Sequence, residues 1–150
     1  MSVSPIPGGY HTVTPYLVLR DAKAALDFYH RGFGATEVLR LDAADGGILH
    51  AEIRIGDSVV MLADEMPDQG YVGPQSRGGP TGSLLLYVPD VDTVFAHAVE
   101  CGARSVSPVA DQFYGDRTGT LEDPFGHMWT VATHIEDVSA EEMQQRLGSQ

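Results

Sequence analysis

Apolar residues recur with the periodicity of an amphipathic helix in two stretches of the chain. One stretch follows Asp21 and stops before Gly34, and the other follows Asp90 and stops before Gly102. Aspartate is favoured at a helix N-cap because its carboxylate accepts a hydrogen bond from a free backbone N–H, and glycine is favoured just beyond a helix C-terminus. Both stretches therefore predict helices, with apolar positions at Ala22, Ala25, Leu26 and Tyr29 in the first and at Val91, Val94, Phe95 and Ala98 in the second.

The two predicted helices are related by a constant offset, since the N-cap and every apolar position of the first recur 69 residues later in the second (21 and 90, for example). The flanking apolar segments share this offset, because 16–19 matches 85–88 and 59–62 matches 128–131. Each half predicts a strand, a helix and three strands, so the repeat predicts an α+β fold of two βαβββ modules. The predicted elements span 12–19, 22–33, 35–41, 47–55 and 58–63 in the first half and 82–88, 91–101, 104–109, 114–122 and 127–133 in the second.

The two predicted modules form a single domain over residues 1–150, a length that suits one hydrophobic core. Module one covers about 12–63 and module two about 82–134. The segment 64–81 between them is rich in glycine and proline and predicts an irregular linker. The serine and glutamate at 139 and 142 form a capping box, which predicts a short C-terminal helix over 139–147.

Composition and charge restrict the possible functions. The chain carries 21 acidic and 9 basic residues, and its formal net charge of −12 produces a field that repels nucleic acids and anionic lipid surfaces. Its apolar runs fall far short of the ~20 residues of a membrane-spanning helix, and its first residues lack the basic and apolar regions of a secretory signal. The single cysteine, Cys101, fits a reducing compartment. We therefore expect a cytoplasmic protein that binds neither nucleic acid nor membrane.

Two segments stand out as motifs, Asp-Gln-Phe-Tyr-Gly-Asp-Arg at 111–117 and Asp-Pro-Phe-Gly-His-Met-Trp at 123–129. Further segments of the same kind lie at 10–18, 50–58, 86–92, 132–134 and 136–143. Together these segments resemble the vicinal-oxygen-chelate superfamily, which includes glyoxalase I, bleomycin-resistance proteins and extradiol dioxygenases, and they resemble its PhnB-like branch most closely. The resemblance implies that each module curls its sheet into a half-barrel, that the curved sheets form a ligand pocket, and that the protein is a homodimer.

The resemblance also locates the positions that bind metal in the metal-dependent members, one on the first and one on the last strand of each module. In this sequence those positions are Thr14, Met61, Ser83 and Thr130, and they obey the same 69-residue offset. Hydroxyl and thioether groups are poor ligands for a divalent ion, which prefers imidazole, carboxylate or thiolate donors. We therefore predict no metal or other cofactor at these positions and interpret the four residues as ligand-lining.

A second set of candidates comes from strand register. The Gly-Asp pair at 56–57 predicts a two-residue hairpin turn, whose register places Glu52 opposite Met61. Because directly opposite residues share a face of the sheet, Glu52 and, two residues earlier, His50 should face the cavity with Met61. They are our candidates for acid–base catalysis, or for polar contact with a ligand. Burial should raise the pKa of Glu52 unless His50 or Arg54 pairs with it.

Strand parity adds three candidates for the ligand cavity. Each lies an even number of residues after Thr14 or Ser83 on the same predicted strand, and so on the same face; the three are Tyr16, Leu85 and Tyr87. A tyrosine brings both apolar area and a hydroxyl to a ligand, although these two could equally fill the barrel.

For the strand over 114–122, the alternation of side chains does not decide which face lines the cavity, because a bulge at the following turn would exchange the two faces. The resemblance favours Tyr114, Thr118 and Thr120 as ligand-facing. The remaining histidines show no metal-binding spacing, and we expect structural roles for His11, His30, His97, His127 and His134.

Two function classes fit these patterns. The first is a metal-independent binding protein that sequesters a small molecule, either an antibiotic or a metabolite. The second is a lyase, isomerase or dioxygenase that uses a metal outside the usual positions or acid–base chemistry from His50 and Glu52. The missing metal donors favour the binding protein, and the polar pair in the predicted cavity favours the enzyme.

Overall fold

The computed structural model describes residues 2–149 and has two compact units, one reaching to Pro80 and one beginning at Thr81. Each unit contains a strand, a helix and three further strands in that order, so the predicted pair of βαβββ modules is confirmed. The N-terminal unit consists of β1 (Tyr16–Leu19), α1 (Ala22–Phe33), β2 (Thr36–Asp42), β3 (Ile48–Ile55), β4 (Ser58–Asp64), a 3-10 turn (Pro67–Gln69) and α2 (Pro74–Arg77). The C-terminal unit consists of β5 (Ser83–Tyr87), α3 (Val91–Glu100), β6 (Arg104–Asp111), β7 (Asp116–Glu122), β8 (Met128–His134) and α4 (Ala140–Gly148).

Each unit has one four-stranded mixed sheet, and the two sheets have the same topology. The strand order is β1-β4-β3-β2 in the first and β5-β8-β7-β6 in the second. The first strand of each module lies parallel to the last, and the other pairs are antiparallel. Tyr16 is paired with Met61 and Leu85 with Thr130, so the two parallel ladders keep the 69-residue offset of the sequence.

The two modules also fix the start of their helices in the same way. The side chains of Asp21 and Asp90 cap α1 and α3, as predicted. In addition, the Asp64 carboxylate accepts a hydrogen bond from the first backbone N–H of α1 at 2.7 Å, and the Thr133 hydroxyl accepts one from the first N–H of α3 at 2.9 Å. These two acceptors are themselves 69 residues apart, and each ties a helix to the last strand of its module.

The core of each unit lies between its helix and one face of its sheet. In the C-terminal unit Trp129 is buried, and its indole N–H donates to Asp123 at 2.9 Å. At Gly119 on β7, a Cβ atom would approach the Phe95 ring of α3 and the Val109 side chain to 2.8 Å. The helix therefore packs directly on the backbone of β7, which requires glycine at this position.

The boundaries of several elements differ from the predicted ones. β1 begins at Tyr16 rather than at residue 12, because Pro15 has no backbone N–H to donate to a ladder. α3 ends at Glu100, one residue early, and Cys101 is its C-cap. The linker is less irregular than predicted, since it contains the 3-10 turn and α2. Over residues 2–149, no helix is long and apolar enough to cross a membrane.

Candidate functional site

One face of the N-terminal sheet gathers the residues that the hairpin register singled out. β3 and β4 pair with Glu52 opposite Met61, as the Gly-Asp turn predicted, and Met61 is in turn paired with Tyr16 of β1. On the other side of β3, Leu39 and Leu41 of β2 are paired with Glu52 and His50. A row of side chains from four strands therefore shares one face.

Four polar side chains on this face form a continuous hydrogen-bonded chain, which we call the Glu52 network (Tyr10, Tyr16, His50 and Glu52). The Tyr10 hydroxyl donates to Oε1 of Glu52, and Oε2 of Glu52 lies 2.7 Å from Nε2 of His50. Nδ1 of His50 lies 2.8 Å from the Tyr16 hydroxyl oxygen. Both carboxylate oxygens and both imidazole nitrogens therefore have a partner.

Exposure changes along the Glu52 network from its centre to its end. Glu52 is buried, with 6% of its surface exposed, whereas Tyr16 is 47% exposed. Leu39 and Leu41, on the same face, are also exposed. A ligand on this face would therefore meet the Tyr16 hydroxyl and apolar side chains, and the carboxylate would act on it through His50 and Tyr16.

The hydrogen bonds of the network decide the charge state of Glu52. Burial raises the pKa of its carboxyl, but the hydrogen bonds from His50 and Tyr10 outweigh burial and hold the pKa below its ordinary value. The sequence analysis expected an upward shift unless His50 or Arg54 paired with Glu52, and the structure shows the pairing with His50. Burial and the nearby Tyr71 raise the pKa of Tyr16.

Tyr10 was not among the predicted site residues. It precedes β1 in a segment without strand periodicity, so no register connected it to Glu52 before the structure was known. Thr14, which the sequence mapped to the first strand, lies just outside β1, where its hydroxyl donates to the His11 carbonyl at 3.3 Å. Thr14 is therefore not part of the Glu52 network.

In the C-terminal unit the strand register shows which residues of β7 share a face with Thr130. Thr120 and Thr118 of β7 are paired with Thr130 and Ala132 of β8, and the hydroxyls of Thr120 and Thr130 lie 3.0 Å apart. Leu85 is paired with Thr130 on its other side. Thr118 and Thr120 therefore share a face with Thr130, which is the face that the resemblance favoured.

The other candidates of the C-terminal unit lie near this face or at its edges. Ser83 is exposed at the start of β5 and pairs with Met128. Tyr114 lies in the turn before β7, where its ring packs edge-on against Phe113 with centroids 5.3 Å apart. Tyr87, at the end of β5, is 60% exposed.

Tyr87 also belongs to a second hydrogen-bonded chain, which we call the Asp116 network (Tyr87, Asp116, His134 and Asp137). Its hydroxyl donates to Asp116 at 2.7 Å, and His134 lies 2.7 Å from Asp116 through Nδ1 and 2.7 Å from Asp137 through Nε2. The two carboxylates raise the pKa of His134, Asp137 more than Asp116. Burial raises the pKa of Asp116, but the bonds from His134 and Tyr87 lower it further and leave it below its ordinary value.

The sequence analysis assigned His134 no role beyond a structural one. Asp137 lies in a connecting segment and Asp116 at the start of a strand, so only the fold brings both carboxylates to one imidazole. The sole sequence signal was that 111–117 and 132–134 both belong to the segments that resemble the superfamily.

The positions that hold metal in related enzymes do not fit a metal ion here. Met61 and Thr14 offer a thioether and a hydroxyl in the N-terminal unit, and Ser83 and Thr130 offer two hydroxyls in the C-terminal unit. Within residues 2–149, no group of three or more His, Cys, Asp or Glu side chains is arranged to hold a metal ion.

A separate cavity of about 340 Å³ lies in the N-terminal unit between α1 and β2. Ile53 contributes to it, and since Ile53 alternates with Glu52 along β3, the cavity is on the opposite face of the sheet. The residues that line it are Lys23, Leu26, Asp27, His30, Ala35, Glu37, Arg40 and Ile53.

Known proteins resemble this chain in sequence and in structure. The sequence profile of the Glyoxalase/Bleomycin resistance protein/Dioxygenase superfamily matches residues 10–131. An uncharacterized protein of Mycobacterium bovis is 39% identical over 141 residues, which cover 92% of this chain and 93% of that protein.

Among solved structures, TioX from a Micromonospora species is 27% identical and superposes with a TM-score of 0.65, over 86% of this chain and all of TioX (100%). A PhnB protein from Bacillus cereus superposes with a TM-score of 0.65 at 20% identity, over 82% of this chain and 99% of that protein, and so shares the fold. With a family profile that spans most of its length and PhnB-like proteins among its structural neighbours, the chain belongs to the glyoxalase/bleomycin resistance protein/dioxygenase superfamily.

Proposed function

We propose that this protein binds a small organic molecule on the face of the N-terminal sheet that carries the Glu52 network, and that it sequesters an antibiotic or a metabolite. The observation that carries the proposal is a buried carboxylate, Glu52, connected through His50 to the exposed hydroxyl of Tyr16. Binding sites typically combine apolar walls with a few polar groups held in fixed positions. Here Leu39 and Leu41 supply exposed apolar surface beside those polar groups.

Hydrogen bonds within the Glu52 network hold its side chains in place, which supports a binding role. In the part of the chain that the structure describes, every buried side-chain nitrogen and oxygen has a hydrogen-bond partner. The exposed hydroxyl of Tyr16 is held by its bond to His50, so the entropic cost of ordering it on binding is small.

The unsuitable metal donors favour a binding protein over the metal-dependent enzymes of the superfamily. The net charge of −12 favours a small molecule over a nucleic acid as the ligand. Within the C-terminal unit considered by itself, the proposed ligand contacts are Ser83, Leu85, Tyr87, Tyr114, Thr118, Thr120 and Thr130. A cytoplasmic homodimer is part of the same proposal, and it rests on the single cysteine and on the superfamily resemblance.

A second candidate function is acid–base catalysis. Nε2 of His50 lies 2.7 Å from Glu52, which is within the hydrogen-bond reach of a proton-transfer pair. In that case Tyr16, which contacts the imidazole and is exposed, would transfer the proton to or from a substrate. A lyase or isomerase would use such a pair without a metal ion at the four mapped positions.

The experiment is a screen of antibiotics and metabolites by NMR, observed on isotope-labelled protein. We expect a bound compound to shift the resonances of Tyr16, His50 and Met61. Glu52→Gln keeps the shape and removes the charge, and it should weaken binding of that compound at least tenfold, or about 1.4 kcal/mol. The matched control is Glu37→Gln, an exposed residue on β2 that pairs with Arg40, and it should leave the affinity unchanged.

The same samples distinguish the two candidate functions. A binding protein returns its compound unchanged after hours of incubation, whereas an enzyme produces new signals that disappear in His50→Gln and persist in His97→Gln, an exposed histidine of α3. A compound that binds equally well to wild type and to Glu52→Gln would contradict both roles of the Glu52 network.

A further inference from the structure

With Glu52 ionised and His50 neutral, the hydrogen bonds of the Glu52 network fix the position of every hydrogen along it. An ionised carboxylate can only accept hydrogen bonds. Oε1 of Glu52 accepts from Tyr10, so Oε2, at 2.7 Å, must accept from Nε2 of His50. A neutral imidazole carries one N–H, and with that hydrogen on Nε2 its Nδ1 is an acceptor.

The consequence reaches the exposed end of the network. Nδ1 of His50 lies 2.8 Å from the Tyr16 hydroxyl, and because Nδ1 can only accept, Tyr16 must donate its single hydrogen inward. The Tyr16 oxygen is then left with lone pairs and no hydrogen for a ligand. The buried charge of Glu52 thus determines what an exposed hydroxyl, two hydrogen bonds away, can offer.

We propose that the ligand of this face is recognised at Tyr16 through a hydrogen-bond donor, such as a hydroxyl, an amide N–H or an ammonium group, and not through a carboxylate or phosphate. This inference rests on the proposed binding function and adds the chemical class of the group that is bound. The charged or titratable groups close to the network are Arg54, beside Gly9 and Tyr10, and Tyr71, beside Tyr16. Neither one supplies a hydrogen to Nδ1 of His50 in the structure.

One substitution should reverse this polarity without breaking a hydrogen bond. In Glu52→Gln the amide oxygen can still accept from Tyr10, while the amide N–H₂ donates to Nε2 of His50. Nε2 then becomes the acceptor, and the imidazole hydrogen moves to Nδ1, which donates to the Tyr16 oxygen. The hydroxyl hydrogen of Tyr16 is released and points outward, so the variant should prefer a ligand with an acceptor.

The direct test needs no ligand. Nitrogen-15 NMR at pH 8, where an ordinary imidazole is neutral, reports which ring nitrogen of His50 carries the hydrogen. We expect Nε2–H in the wild type and in Glu37→Gln, and Nδ1–H in Glu52→Gln. A wild-type His50 with its hydrogen on Nδ1 overturns the inference, whether or not the variant folds.

The binding test uses two neutral probes, so that removing the Glu52 charge does not by itself change their affinities. Indole has a single N–H donor, and acetophenone has only a carbonyl acceptor. We expect the ratio of the two dissociation constants, measured by NMR titration of Tyr16 and Met61, to favour indole in the wild type and to shift by about tenfold toward acetophenone in Glu52→Gln. Tyr16→Phe should remove the difference between wild-type and variant preferences.

The outcomes separate the inference from the proposed function. A wild type that binds both probes at this face but prefers acetophenone contradicts the donor rule and leaves the binding function intact. Probes that shift only residues elsewhere contradict the binding function, while the His50 tautomer still decides the polarity of the network.

Discussion

Asp64 offers a quantitative test of how the two modules hold their helices. Its carboxylate, at the end of β4, accepts one hydrogen bond from the first N–H of α1 and a second from the N–H of Ile48 at the start of β3, both at 2.7 Å. Hydrogen bonds to a charged group contribute about 1.5–3 kcal/mol each. A negative charge beside a helix N-terminus adds about 0.3–1 kcal/mol. Asp64→Ala removes both bonds and the charge, and it should lower the free energy of unfolding by about 3–7 kcal/mol.

The internal repeat makes the prediction sharper. Thr133 makes the equivalent contact to α3 with a hydroxyl, so Asp64→Thr should keep a bond to the helix and lose the bond to Ile48 and the negative charge. Its cost should be clearly smaller than that of Asp64→Ala, at about 2–4 kcal/mol. Urea unfolding followed by circular dichroism measures both values. The control is Asp57→Ala at the exposed hairpin turn, which should change stability by less than about 0.5 kcal/mol.

Two results would refute this reasoning. If Asp64→Ala costs less than about 1 kcal/mol, the carboxylate does not hold the helix and strand together. If Asp64→Thr is no more stable than Asp64→Ala, Thr133 is not the functional equivalent of Asp64, although the 69-residue offset relates the two positions.

Four further predictions concern the C-terminal unit and the metal question. The pKa of Asp116 is lowered in the folded protein, so its full contribution to stability should be present above its ordinary pKa and should be lost as the pH falls through the folded-state pKa. Asp116→Asn should therefore flatten the acid side of a plot of the free energy of unfolding against pH. His134 has a raised pKa, so its full contribution to stability should be present below its ordinary pKa and should be lost as the pH rises through its folded-state pKa. An NMR titration of His134 whose midpoint lies below the ordinary pKa would contradict this. Gly119→Ala should destabilise the fold by about 1–3 kcal/mol through overpacking against Phe95, and a neutral effect in thermal unfolding would show that the helix moves freely away from β7. Elemental analysis after dialysis should find no stoichiometric metal, and an ion coordinated by the mapped side chains would disprove the donor argument for Thr14, Met61, Ser83 and Thr130.

The features that the sequence predicted correctly are those determined by local rules. A two-residue turn has a fixed register, so the Gly-Asp pair at 56–57 was sufficient to place Glu52 opposite Met61. The repeated caps and apolar stripes likewise predicted both modules, because a helix with one apolar face needs a sheet to cover it.

Contacts between segments of different periodicity could not be predicted in this way. Tyr10 reaches Glu52 from an irregular segment, and Asp137 reaches His134 from the connection before α4. The face of β7 was also undetermined until its pairing with β8 placed Thr120 beside Thr130. The first two contacts depend on where an irregular segment runs, and the third depends on the register of β7 against β8. No spacing along the chain encodes either one.

The central claim is that the face carrying the Glu52 network binds the ligand. The most direct measurement is the NMR map of a compound obtained from the antibiotic and metabolite screen, recorded on methionine-methyl and backbone resonances. The account predicts that the largest shifts occur at Tyr16, His50, Glu52 and Met61, and that they become smaller in Tyr16→Phe at the same compound concentration. Shifts confined to the cavity between α1 and β2, around Lys23, would place the ligand on the opposite face of the sheet and contradict it.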